Sequence, residues 1–144
     1  SYQPFVVFPG EYATPDQKVY QQSIGPNTGK RPLFILLDGS WREAKKMFRK
    51  SKYLQGLPVL SIDPNKFTGS DYLSKYHIRN SAKSSQLATA EVAAMVLRGF
   101  GEKKNGEILD TWFDYYSYQY QKSVCQTNMG DASAELRYKL LTSK

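Results

Sequence analysis

The sequence predicts an α/β fold, a parallel sheet flanked by helices, on three observations. Leu33–Leu37, a short apolar run after Pro32, has the profile of a strand buried on both faces of a parallel sheet. The chain turns sharply at Asp38-Gly39-Ser40, and from Trp41 the period becomes helical, with Trp41, Ala44, Met47 and Phe48 on one apolar stripe. A later run, Leu87–Leu97, is a helix rich in small residues that can lie close against a sheet or a bound ligand.

The elements follow in order. Phe5–Phe8 is a core strand closed by Pro9-Gly10, a turn that lets backbone approach a ligand closely. Pro15–Gln22 reads as a short helix, and Gly25–Lys30 as a loop rich in breakers. That loop precedes a strand instead of joining a strand to a helix, so it is not a phosphate-binding P-loop. Ser40 is placed to cap the helix that follows the central strand, with Glu43 completing a capping box. The other side of that helix carries Arg42, Lys45, Lys46, Arg49 and Lys50. Leu57–Asp63 is a second buried strand, residues 65–75 are irregular, and Tyr76–Arg79 is a short extended segment before a Ser/Lys-rich loop. Gly99 and Gly101 end the small-residue helix. An aromatic helix from Ile108 to Val124 and a last one from Ala132 to Leu141 complete the chain. In the aromatic helix, Trp112, Tyr115, Tyr116 and Gln119 follow helical spacing and read as packing residues.

A length of 144 residues gives one domain, 1–144, able to hold a core but small for a complete α/β enzyme. Lys and Arg number 20 against 13 Asp and Glu, a balance that favours polyanionic partners. The lone Cys125 excludes an intrachain disulfide and a cysteine-based zinc cluster, and fits a reducing, cytoplasmic location. No apolar run approaches the roughly 18 residues of a membrane span, so no membrane partner is expected. The chain enters its first strand without a lead-in, as the C-terminal part of a longer protein would. His77, the one histidine, reads as structural or exposed.

Taken together, Phe8-Pro9 with Ala13, Leu37–Met47, Leu57-Pro58, Tyr76–Arg79 and Thr89–Ala93 resemble the DTW-domain family, the tRNA-uridine aminocarboxypropyltransferases of bacterial type. The most specific piece is Asp38-Gly39-Ser40-Trp41-Arg42-Glu43-Ala44-Lys45-Lys46-Met47, and the pieces lie in family order. The resemblance implies a SPOUT-like parallel sheet with a C-terminal trefoil knot, an exception to the unknotted rule. It also implies transfer of the 3-amino-3-carboxypropyl group from S-adenosylmethionine to N3 of a tRNA uridine, in bacteria a variable-loop uridine. The alternatives are a SPOUT-type methyltransferase using the same cofactor, or an RNA-binding domain without catalysis. The family's Thr is Ser40 here, which keeps the hydroxyl, and its Ser before Thr89 is Ala88. Full-length bacterial members carry an upstream Cys-rich zinc segment, so zinc is expected only there. The oligomer implied is a monomer or a knot-mediated dimer.

On that resemblance, cofactor contacts fall to Phe8, Pro9, Leu37, Leu57, Pro58, Ile78, Leu87, Thr89 and Glu91, at loops following the sheet strands. Asp38 either removes or accepts the uracil N3 proton, or ties down the turn. Ser40 caps the helix and is placed to hold substrate. Trp41 either stacks on uracil or adenine, or lies in the core. Arg42, Lys45, Lys46, Arg49 and Lys50 either meet tRNA phosphates or form a solvated face, and Arg79 reaches either phosphate or the donor carboxylate. Glu91 either meets the donor's amino group or caps its helix.

Overall fold

The sheet is built on β1 (Tyr2–Val7). It pairs in parallel with β3 (Arg31–Leu36) on one side and β4 (Val59–Ser61) on the other. β2 (Val19–Gln21) pairs with β4, giving four parallel strands in the order β2-β4-β1-β3. This computed structural model describes residues 1–21, 29–61, 89–124 and 130–143. The chain divides into two compact units, Ser1–Asp63 and Pro64–Lys144.

In the first unit the parallel sheet agrees with expectation, but the most buried strand does not. Leu33–Leu37 was expected to be covered on both faces. β3 instead lies at the edge of the described sheet, with Arg31 and Pro32 exposed and Leu33 47% exposed. The doubly covered strand is β1, in which Phe5, Val6 and Val7 are all buried. Alternation sends Val6 and Phe8 to one face and Phe5 to the other. Phe5 there meets Tyr20 edge-on at 5.7 Å and Phe34 at 6.1 Å. An apolar run reports hydrophobicity; its place in the strand order decides how much of it is covered.

The helix expected at Pro15–Gln22 is absent from its described part, which instead forms a turn and β2. Val19 and Tyr20 pair with Val59 and Leu60 of β4, so tertiary pairing overrides a weak local preference. Gln17 fixes the turn: its Oε1 accepts from the Thr14 N–H at 3.0 Å, and its Nε2 donates to the carbonyls of Leu54 and Leu57.

Helix α1 (Trp41–Lys50) forms as its periodicity predicts. Ser40 Oγ accepts from the Glu43 N–H at 3.2 Å, and Glu43 Oε2 accepts from the Ser40 N–H at 2.8 Å, which is the expected capping box. Ala44 and Phe48 are buried against Val6, Phe8, Leu54 and Val59, with Trp41 and Met47 partly buried around them.

The second unit is helical where it is described: α2 (Thr89–Gly99), α3 (Lys103–Val124) and α4 (Ala134–Thr142). α2 ends in a Schellman arrangement. The Glu102 N–H reaches the Leu97 carbonyl at 2.9 Å and the Gly101 N–H reaches Arg98 at 3.2 Å, with Gly101 at φ +86°. α3 starts before the expected Ile108, and Gly106 lies inside it. A Cβ at Gly106 would come within 2.8 Å of the Ala94 carbonyl, so glycine there lets α2 and α3 approach closely.

The buried side of α3 corrects the packing expected of its aromatics. Trp112 and Tyr116 are each 42% exposed and stack on each other at 5.6 Å, while Asp110, Thr111, Phe113, Asp114, Ser117 and Gln121 are buried. Charges on the neighbouring helices explain the exchange. Arg98 of α2 pairs with Asp110 at 3.2 Å, and Arg137 of α4 pairs with Asp114 at 3.0 Å and also with Asp131. The Asp131 carboxyl is held below its ordinary range, first by the Ser133 hydroxyl, against some desolvation, with further help from the Ser133 N–H and Arg137. Tyr115 does pack, against Tyr138 at 6.2 Å. Among the described residues, no helix is long and apolar enough to cross a membrane.

The expectations at Gly25–Thr28, Ile62-Asp63, residues 65–75, Tyr76–Arg79 with its knot strand, the Ser/Lys-rich loop, Leu87-Ala88 and Cys125 lie outside the described residues.

Candidate functional site

β1 and β3 run in register, Val7 opposite Leu36, so both strands end level. The chain leaves them at one sheet edge as Phe8-Pro9-Gly10 and Leu37-Asp38-Gly39, the C-terminal edge at which open α/β sheets bind ligands. Gly10 fits tightly there. Its N–H donates to Ser61 Oγ at 3.0 Å, and a Cβ would lie 2.8 Å from Val19 Cγ1. Gly39 has φ +143°, a conformation side chains rarely adopt, and a Cβ on it would crowd the capping carboxylate of Glu43 at 3.0 Å. The turn therefore delivers an exposed Asp38 and the capping Ser40 immediately before α1. Capping uses a lone pair of the Ser40 oxygen and leaves the hydroxyl's proton to donate.

Trp41 is tied to the sheet by rings. Phe8 stacks on Trp41 at 5.3 Å with planes 11° apart and on Phe48 at 4.5 Å with planes 7° apart. Those two helix positions are about 10.5 Å apart along the axis, so Phe8 fills the space between them. Tyr12, to which the sequence reading gave no role, stands edge-on to Phe8 at 5.6 Å and to Trp41 at 5.5 Å. Trp41 thus belongs to the rim of the core: one part of its indole is covered by Phe8 and the residue is partly buried.

The basic side chains of α1 differ among themselves. Arg42, Lys46, Arg49 and Lys50 are exposed, whereas Lys45 is half-buried. The Lys45 ammonium lies 5.7 Å from the centre of the Trp41 ring and 6.0 Å from that of Tyr12. Such contacts are worth about 0.5–1 kcal/mol each at exposed sites. Glu43, the one acid on α1, is engaged with the Ser40 N–H in the cap. Among the described residues, none of the five α1 cations has an ion pair.

The structure brings Phe8, Pro9, Leu37, Asp38, Ser40 and Trp41 to one edge, with Arg42, Lys45, Lys46, Arg49 and Lys50 on the helix that leaves it. It does not bring Leu57 and Pro58 there. They precede β4, where the Val6 N–H reaches the Pro58 carbonyl at 3.0 Å, and Leu57 packs on the core beneath α1. Thr89 and Glu91 open α2 in the second unit, with Glu91 buried. Ile78, Leu87 and Arg79 lie outside the described residues. Tyr12, Gln17 and Ser61 were missed because their roles come from partners distant in sequence; Gln17 meets Leu57, 40 positions away.

The DTW domain family matches residues 1–121, most of the chain including this edge, α1, α2 and nearly all of α3. The chain belongs to the DTW-domain family. Membership supports a tRNA-modifying enzyme of the transferase class. No solved structure matches this DTW chain. The family match ends at Gln121, so α4, with Arg137, lies beyond it.

Proposed function

We propose that this DTW protein transfers the 3-amino-3-carboxypropyl group from S-adenosylmethionine to N3 of a tRNA uridine. The observation that carries the reading is the continuity of Asp38, Ser40 and Trp41 at the sheet edge with the cations of α1, which have no ion pair among the described residues. The described residues fit such a donor in chemical type. Pro9 and Leu37, both partly exposed, offer an apolar surface for adenine, with Phe8 buried behind Trp41 as its support, and Asp38 offers an exposed carboxylate at the same edge. When bound, the sulfonium donor supplies an activated carbon and a good leaving group.

The protein's own residues then have distinct tasks. Asp38 accepts the proton of the weakly acidic uracil N3–H as N3 forms its new bond to carbon and the carbon–sulfur bond breaks, releasing methylthioadenosine. Ser40 holds the turn through its cap and has a proton to donate to a uracil carbonyl. Trp41 gives the base a flat surface anchored by Phe8. Arg42, Lys46, Arg49 and Lys50 meet phosphates, which carry most of the affinity and none of the base specificity. The SPOUT-like knot, a cytoplasmic setting and the contacts through Thr89, Glu91, Ile78, Leu87 and Arg79 belong to this proposal as well.

Nucleoside mass spectrometry on unmodified tRNA, incubated with the full-length protein and S-adenosylmethionine, tests it. A uridine heavier by an aminocarboxypropyl group is expected. A methylated nucleoside would instead establish a methyltransferase, and RNA binding without any product would leave a binding domain. Asp38→Ala is expected to lower transfer by about 10²–10⁴-fold with the fold unchanged. Near-wild-type turnover by this variant would remove Asp38 from the mechanism.

A further inference from the structure

We infer that Tyr12 is a positioning residue that holds Lys45 as the phosphate contact nearest the reacting base; this deepens the tRNA reading above and rests on it. Tyr12 sits in the turn after β1, and Trp41 and Lys45 sit one turn apart on α1. Their meeting is a tertiary arrangement. Tyr12 stands at 74° to the indole, so the two rings form a corner, and the Lys45 ammonium lies within 6.0 Å of both ring centres. Lys45 is half-buried where its four basic neighbours are exposed.

A cation held in this way differs from one on a solvated face. Its side chain has already lost rotamer freedom before ligand arrives, so binding an anionic oxygen orders it less. Its place beside Trp41 puts that anion next to whatever base lies against the indole. The ligand class is a phosphodiester flanking the target nucleotide. The donor's carboxylate offers similar oxygen chemistry, and separate measurements with the two ligands distinguish them.

The test uses the full chain and two equilibrium titrations, one with unmodified tRNA at fixed moderate salt and one with S-adenosylmethionine. Lys45→Met is expected to weaken tRNA binding about tenfold and to reduce the salt slope by about one. Lys46→Met, an exposed neighbour on the same helix, is expected to lose only about twofold. Tyr12→Leu should reproduce most of the Lys45→Met loss, Tyr12→Phe should keep near-wild-type affinity because it keeps the ring, and Tyr12→Leu with Lys45→Met should be no worse than Lys45→Met alone. Equal losses at Lys45 and Lys46, or additive losses in the double variant, would overturn the inference. A fall in S-adenosylmethionine affinity with tRNA affinity unchanged would overturn the phosphate assignment in favour of the donor carboxylate. The wild-type chain separates the two levels. Binding with the expected Tyr12–Lys45 pattern but without transfer supports this inference while the transferase reading fails. Transfer with wild-type binding by Tyr12→Leu does the reverse.

Discussion

The two units of this protein differ in where cations meet carboxylates. In the first, cations gather on α1 without ion pairs among the described residues, and stacked rings do the structural work. In the second, Arg98, Arg137 and Lys139 each meet a carboxylate, and two of those carboxylates, Asp110 and Asp114, are buried on α3. Charge that is neutralised internally holds helices together. Charge left unpaired on one face is available to a polyanion. Five of the chain's 20 cations thus stand on one short helix, without ion pairs among the described residues, and that helix adjoins the turn that carries Asp38.

The sharpest way to break this contrast is to remove the ring that joins sheet to helix. Phe8→Ala should cost about 3–5 kcal/mol, since Phe8 is buried between two aromatic neighbours. Denaturant unfolding measures the loss, and Trp41 emission should shift to longer wavelength, read in a Trp112→Phe background. A loss below about 1 kcal/mol would mean that the stack is incidental.

In the second unit the equivalent test is a sign. Gly106→Ala ought to stabilise an ordinary helix interior by up to about 1 kcal/mol. Here the new methyl meets the Ala94 carbonyl and the Arg98 side chain, so a net destabilisation of roughly 1–3 kcal/mol is expected. Net stabilisation would refute the close approach of α2 and α3.

Arg137→Met should cost about 2 kcal/mol, the scale of a charged hydrogen bond to a buried carboxylate. Arg137→Lys should recover only part of it, because Nη2 at the end of the arginine donates to both Asp114 and Asp131, and the ammonium on the shorter lysine stem reaches less far. Full recovery would show that charge alone suffices.

The smallest effect concerns acid. Asp131 has a lowered pKa when folded, so its stabilisation is present above the ordinary carboxylate range and is lost as pH falls through the folded value. The group is largely solvent-exposed, which limits the contribution to below about 1 kcal/mol. Thermal midpoints of wild type and Asp131→Asn should differ near neutrality and converge in acid. A constant gap across that range would assign the effect to something other than ionisation.

Local signals made α1 legible. Its apolar stripe, its cap and its capping carboxylate all lie within a few residues of one another, and the structure reproduces each. The parallel sheet was legible from its apolar runs, but the assignment of the central strand to Leu33–Leu37 differs from the described sheet, in which only pairing order places β1 inside and β3 at the edge. Pro15–Gln22 failed for a related reason: β2 exists through its partner β4. On α3 the helical spacing of the aromatics was right and the buried side was not, since arginines from two other helices draw Asp110 and Asp114 inward. At the candidate site, the Asp38–Trp41 turn could be read from its motif. Tyr12 could not, because its contact with Trp41 joins parts of the chain 29 positions apart.

The pairing of Asp114 with Arg137 crosses the limit of the family match, since Asp114 lies inside it and Arg137 beyond. A relative that lacks the last helix must manage the same buried carboxylate by other means. Positions 114 and 137 are thus expected to be coupled, the buried acid losing one of its partners wherever the arginine is missing. A stretch outside the shared domain would then leave its imprint on a residue within it.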